Sequence, residues 1–120
     1  MAYKRYLIEF GSGVVLHGGD VTLAAQRAIQ DAVSHCCMCG LSDILGDYTK
    51  GMKLDVVIYV PYAERVNRDL LMKELKANEV NLEVFEGGLR MRGLHVEQYG
   101  PGDEIVLANA GITVWADVDI

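Results

Sequence analysis

Only two prolines occur in 120 residues, and no repeat or low-complexity tract interrupts the chain. One domain spanning residues 1–120 is expected, large enough for a core of its own but not for two. Basic residues are also few, eleven against seventeen acidic ones, for a net charge of −6. That balance opposes nonspecific nucleic-acid binding, which depends on neutralising phosphates, and no basic stripe with interleaved aromatics offsets it. No apolar run approaches the length needed to cross a bilayer, which speaks against a membrane protein. The opening MAYKRYLIEF reads as a strand rather than a signal peptide. With no export signal and three cysteines, an odd number, a cytoplasmic location is expected. No Ser-His-Asp spacing, HExxH helix or paired-carboxylate signature is present, so the sequence names no reaction.

What is present concentrates between Phe10 and Gly40, FGSGVVLHGGDVTLAAQRAIQDAVSHCCMCG. This stretch predicts a strand end, a glycine-studded loop and the longest amphipathic helix. Asp20 suits an N-cap, and the absence of Gly or Pro before Gly40 predicts a helix ending there in a left-handed cap. Val21, Ala24, Ala25, Ala28, Ile29, Ala32, Val33 and Cys36 fall on one stripe at three- and four-residue spacings. Its alanines allow close approach to a sheet. Arg27, Asp31 and His35 lie four apart on another face, either a solvated face with a modest Arg27–Asp31 pair or a catalytic stripe.

The glycines invite a phosphate site, but Gly11, Gly13, Gly18 and Gly19 match neither the dinucleotide fingerprint nor the P-loop. Asp20 would also set its own carboxylate where a phosphate belongs. His17 is a candidate ligand contact or a solvated loop residue. Cys36 and Cys39 form a C-x-x-C, but only His17 and His95 could complete a zinc site. A helix C-terminus raises rather than lowers a thiol pKa. Neither a bound metal nor a disulfide among Cys36, Cys37 and Cys39 is expected, and no cofactor is implied.

In order, the chain predicts a strand at Tyr3–Phe10, the long helix, a short turn at Leu41–Leu45 closed by Gly46, and a polar loop from Gly46 to Lys53. The strand Leu54–Val60 is apolar almost throughout, as a strand covered on both faces would be. Pro61 ends it. Asn67 caps a second helix at Arg68–Ala77, with Asn78 closing its far end. Val80, Leu82 and Val84 alternate with polar residues, as in a strand with one wet face. Gly87 and Gly88 break it, Leu94–Tyr99 makes an outlying strand, and GPGD turns the chain. The last strand runs from Glu104 to Trp115, with a bend or bulge at Asn109 and Gly111.

This order resembles the chorismate-mutase-like fold of bacilli, which also houses the small YjgF-type proteins. The resemblance implies an α+β, two-layer domain (β-α-β-α-β-β) whose mixed sheet carries both helices on one face. Open flavodoxin-like sheets, with helices on both faces, rank second. FGSG, HGGDVTLAAQRAIQDAV, EGGL and GDEIVLANAGITV in turn resemble the landmarks of a family of small, uncharacterised, conserved hypothetical bacterial proteins. That family carries no established activity. The position two before His17 is often acidic in it and is Val15 here, so no carboxylate or metal role is carried to this loop.

Two candidate sites stand out. Glu86, Gly87, Gly88, Arg90 and Arg92 combine free backbone with planar forks suited to carboxylates or phosphates, or else form an ordinary turn with solvated charges. Asn109, inside an apolar strand, needs partners from a bulged backbone or from a ligand. Two functions stay open. In one, the chain is an enzyme or a binder for a small anionic or amide-bearing metabolite in a cleft between subunits, held by Arg90, Arg92 and Glu86 with His17. In the other, the chain is a noncatalytic oligomeric interaction module. Either way the partner is the chain itself, because two helices cover one sheet face and leave the apolar second face wet. An obligate homo-oligomer follows. The number three comes from the chorismate-mutase resemblance.

Overall fold

The computed structural model describes residues 2–46 and 48–118; Asp47, in the expected polar loop, lies outside them. Five strands and three α-helices follow in the order β1 (Tyr3–Val15), α1 (Val21–Ser34), α2 (Cys39–Leu45), β2 (Met52–Val60), α3 (Arg68–Glu74), β3 (Glu79–Glu86), β4 (Leu89–Arg92) and β5 (Glu104–Asp117). They build one mixed sheet in the order β1-β5-β2-β3. β5 is antiparallel to both β1 and β2, β2 is parallel to β3, and β4 pairs with β5 beyond the end of β2. The architecture is α+β, as expected.

The helices lie on one face and share one core. Val106, Ala108, Ala110, Ile112, Val114 and Ala116 of β5 alternate into that core, as do Met52, Leu54, Val56, Ile58 and Val60 of β2. Period-two alternation decides which side of each strand is buried. Ala24, Ala25, Ala28, Ile29 and Ala32 of α1 and Leu71 and Leu75 at α3 meet them. Thr22 Oγ1 accepts from the Asn67 amide at 2.9 Å, tying the two long connections together.

Asp20 caps α1 as expected, its carboxylate accepting from the Leu23 amide at 3.0 Å, and Asn67 Oδ1 accepts from the Leu70 amide at α3. Several boundaries differ from the sequence expectation. The first strand does not end at Phe10 but runs through the glycines to Val15. A Cβ on Gly11 would stand 2.3 Å from the Ala28 carbonyl oxygen, and one on Gly13 would stand 2.3 Å from that of Ala24. These glycines seat a helix on the strand rather than loop around a ligand. α1 stops at Ser34 rather than Gly40, leaving Val33 exposed and Cys36 half-buried. Gly40 is instead inside α2, where a Cβ would come 2.8 Å from the Tyr6 hydroxyl.

α3 ends at Glu74, before the expected Ala77. Asn78 does not cap it: its amide donates to the Met52 carbonyl and its side chain to the Tyr3 hydroxyl. The outlying strand falls at Leu89–Arg92, not Leu94–Tyr99, where a 3-10 turn covers Glu97–Tyr99. β5 passes Asn109 and Gly111 without a break, and the bulge sits between Arg5 and Leu7 of β1. β2 is not covered on both faces, since Val57 is half-buried and Tyr59 exposed on the side away from the helices.

Candidate functional site

The turns that follow the carboxyl ends of β2 and β3 bring most of the expected site residues together, around a residue that the sequence did not flag. Tyr62 follows the buried Pro61 and takes up φ 55°, ψ 51°, left-handed backbone that costs a bulky residue energy unless its surroundings hold it. They do. Glu86, the last residue of β3, accepts from the Tyr62 amide at 3.0 Å and from the Ala63 amide at 3.1 Å. Those two amides, Ala63 first, hold the Glu86 carboxyl below its ordinary range. The Tyr62 hydroxyl donates to Glu104 Oε1 at 2.7 Å and accepts from Arg90 at 2.6 Å. That contact with Tyr62 raises the Arg90 pKa further. The guanidinium groups of Arg65 and Arg90 lie 4.2 and 5.0 Å from the centre of the Tyr62 ring.

Gly88 belongs to the same corner for a backbone reason. It has φ +69°, and a Cβ there would come 2.2 Å from the Leu107 carbonyl oxygen, while one on Gly87 would meet the Tyr59 ring. The close approach these glycines permit is taken up by β5 and β2. Arg92 stands apart, 88% exposed and paired with Asp103 at 2.8 Å. Such a pair adds little stability.

His17 joins a different group. Its Nδ1 lies 3.2 Å from the Leu94 carbonyl oxygen and its ring stacks on Tyr99 at 5.4 Å. Arg27 and Asp31, expected on a solvated face, reach the outer edge of β1: Arg27 donates to the Val14 carbonyl at 2.7 Å, and Asp31 accepts from the Ser12 amide at 2.9 Å. The Ser12 amide and then His35 hold the Asp31 carboxyl below its ordinary range. Cys36 meets the buried Glu9, which pushes its thiol pKa up, and Glu9 Oε2 has no hydrogen-bond partner. Cys37 and Cys39 are exposed. No group of three or more metal-ligating side chains gathers among the described residues.

Asn109 lies on the sheet face that no helix covers, exposed rather than buried in a bulge. There it lines a depression of about 400 Å³ with Ile8, Phe10, Val57, Tyr59 and Thr113. At one end of this face Asp55 accepts from Trp115 Nε1 at 2.9 Å and from Asn81 Nδ2 at 3.0 Å, joining three strands. Lys53 Nζ spans the Trp115 and Tyr3 rings at 4.9 and 5.1 Å. Ser12, Glu83, Asn109 and Thr113 share this face with large apolar side chains: Phe10 is 73% exposed, and Ile8, Val14, Tyr59, Phe85, Leu89 and Met91 are exposed as well.

A family described as conserved hypothetical protein (Lin0512_fam) matches residues 5–114. The chain belongs to the Lin0512 family. A crystal structure from Nostoc punctiforme, of a protein described as FtsZ-like and of unknown function, is similar to it with a TM-score of 0.84 and 32% identity. The likeness covers 98% of this chain and 99% of that one. No curated protein matches the sequence. In this Lin0512 family member, sequence reasoning passed over Tyr62, Glu104, Asp55 and Trp115. Pro61-Tyr62 directly after an apolar strand was the available signal for Tyr62. Nothing in the spacing joined Glu104 to it across 42 residues.

Proposed function

We propose that the chain is a subunit of a homo-oligomer and serves as a noncatalytic interaction module whose working surface is the uncovered sheet face. The observation that carries this is the set of exposed large apolar side chains on that face, Ile8, Phe10, Tyr59, Phe85, Leu89 and Met91. Monomers seldom leave such patches open. The arginine turn supports the module reading too, because Glu86 and Arg90 are engaged within the chain. Three copies is the number suggested by the resemblance to chorismate-mutase-like proteins, and a cytoplasmic setting suits the free thiols. Light scattering after gel filtration at low micromolar concentration tests the assembly: a mass of three chains is expected, and a stable folded monomer overturns it.

A second reading keeps a small metabolite between subunits. The depression around Asn109 favours it, with an apolar floor and an exposed amide that suits an amide-bearing ligand. A thermal-shift screen of metabolites on the wild type, on Asn109→Ala and on the double variant Arg90→Ala, Arg92→Ala decides between the two. A compound that stabilises the wild type and not a variant establishes the metabolite reading. No hit across a broad library leaves the module.

A further inference from the structure

We infer that the ridge of Ile8 and Phe10 on β1 and the groove beside it over β5 are the two halves of one contact between copies of this chain. The inference rests on the self-assembly proposed above and specifies where the copies meet. The groove exists because β5 presents small or short side chains there, Asn109, Gly111 and Thr113, between Phe10 on one side and Tyr59 on the other. Phe10 rises beside it, the most exposed of the large apolar side chains among the described residues. One face thus carries a projection and a hollow of matching apolar character, which is what a contact between identical surfaces needs. A reciprocal pair and a closed ring of three both satisfy it.

Pairing through the sheet edges is hindered. On the outer edge of β1 the Ser12 amide is taken by Asp31 and the Val14 carbonyl by Arg27. On β3, Arg68 donates to the Leu82 carbonyl. Side chains that occupy edge groups remove the template for another strand. Charge also selects the face. Copies carrying −6 each repel one another, so contact favours an uncharged patch. The one acid lining the groove, Asp55, is held by Trp115 and Asn81.

Size and shape agree. The molecule measures 54 × 23 × 19 Å, so either long side exceeds the about 800 Å² that each partner of a stable interface buries. Its radius of gyration is 16.1 Å. A self-contained domain of this length would have about 14 Å.

Sedimentation velocity from low to high micromolar concentration tests the contact, with Phe10→Lys, Gly111→Val and, as control, Ile44→Lys. Ile44 is 68% exposed on α2, in the helical layer. A Cβ on Gly111 would stand 3.6 Å from the Phe10 ring, an ordinary contact, so the backbone accepts a side chain there, and the methyls of valine fill the groove. Association should weaken about tenfold or more in Phe10→Lys and Gly111→Val and stay at the wild-type level in Ile44→Lys. Circular dichroism verifies folding, and Thr113→Arg replaces either variant that fails to fold. A wild type that is monomeric throughout overturns the assembly and the contact together. An oligomeric wild type with unaffected groove variants overturns the contact alone.

Discussion

Glu9 is 5% exposed and the one buried charged residue among those described, with Oε2 unpartnered beneath the end of α1. Burying an unpaired polar oxygen costs about 1–3 kcal/mol, whereas an apolar side chain of like length would contribute packing. Glu9→Met should therefore raise the stability by about 1–3 kcal/mol, read from the urea midpoint at constant m. A loss of stability would mean that the Glu9–Cys36 contact outweighs the cost of the unpartnered oxygen. Gly13 sits at the opposite extreme. A Cβ there meets the Ala24 carbonyl oxygen at 2.3 Å and the Ala28 amide nitrogen at 2.4 Å, both backbone. Neither can yield without moving the helix, so Gly13→Ala should destabilise by at least about 2 kcal/mol in the same measurement.

At the scale of elements, polar side chains fasten the pieces that hydrophobic burial only brings near. α1 grips the edge of β1 through Arg27 and Asp31, and Glu86 of β3 holds the turn after β2. Glu86 has its pKa lowered from the ordinary 4.5. A carboxylate depressed in the folded state contributes stability above its unfolded pKa and loses it as pH falls through the folded value. Melting temperatures of wild type and Glu86→Gln should thus differ at about pH 7 and converge as the pH falls below about 4.5. A gap that persists in acid would assign the Glu86 effect to packing. These fasteners explain the limits of the sequence reading at this level. The alternation of β3, the helical stripe of α1 and the apolar run of β2 stood out, as did the Asp20 and Asn67 caps. The end of β1 did not, because Gly11 and Gly13 resemble loop residues until α1 is laid across them.

For the whole molecule, a one-sided helical layer leaves an elongated chain with an open apolar face. If copies of the chain cover that face, folding stability is linked to association by mass action. The melting temperature should rise with protein concentration in the wild type and be independent of it in Phe10→Lys. Differential scanning calorimetry over a hundredfold dilution series checks this, and a concentration-independent wild type contradicts it.

Hydrophobic periodicity and capping chemistry are local, so the sequence by itself determined the element order, the α+β class, the apolar stripe of α1 and the excess of apolar strand surface over helical cover. Family membership was legible for a similar reason, since its landmarks are short ordered runs. Tertiary structure alone decided which partner each polar side chain takes. Arg90 is drawn to the Tyr62 hydroxyl, Glu86 to two backbone amides and Arg27 to the edge of β1, from residues 28, 23 or 24, and 13 positions away. Hydrogen bonds depend, to within a few tenths of an ångström, on distances between atoms remote in sequence, and those distances exist only once the sheet has closed around β5.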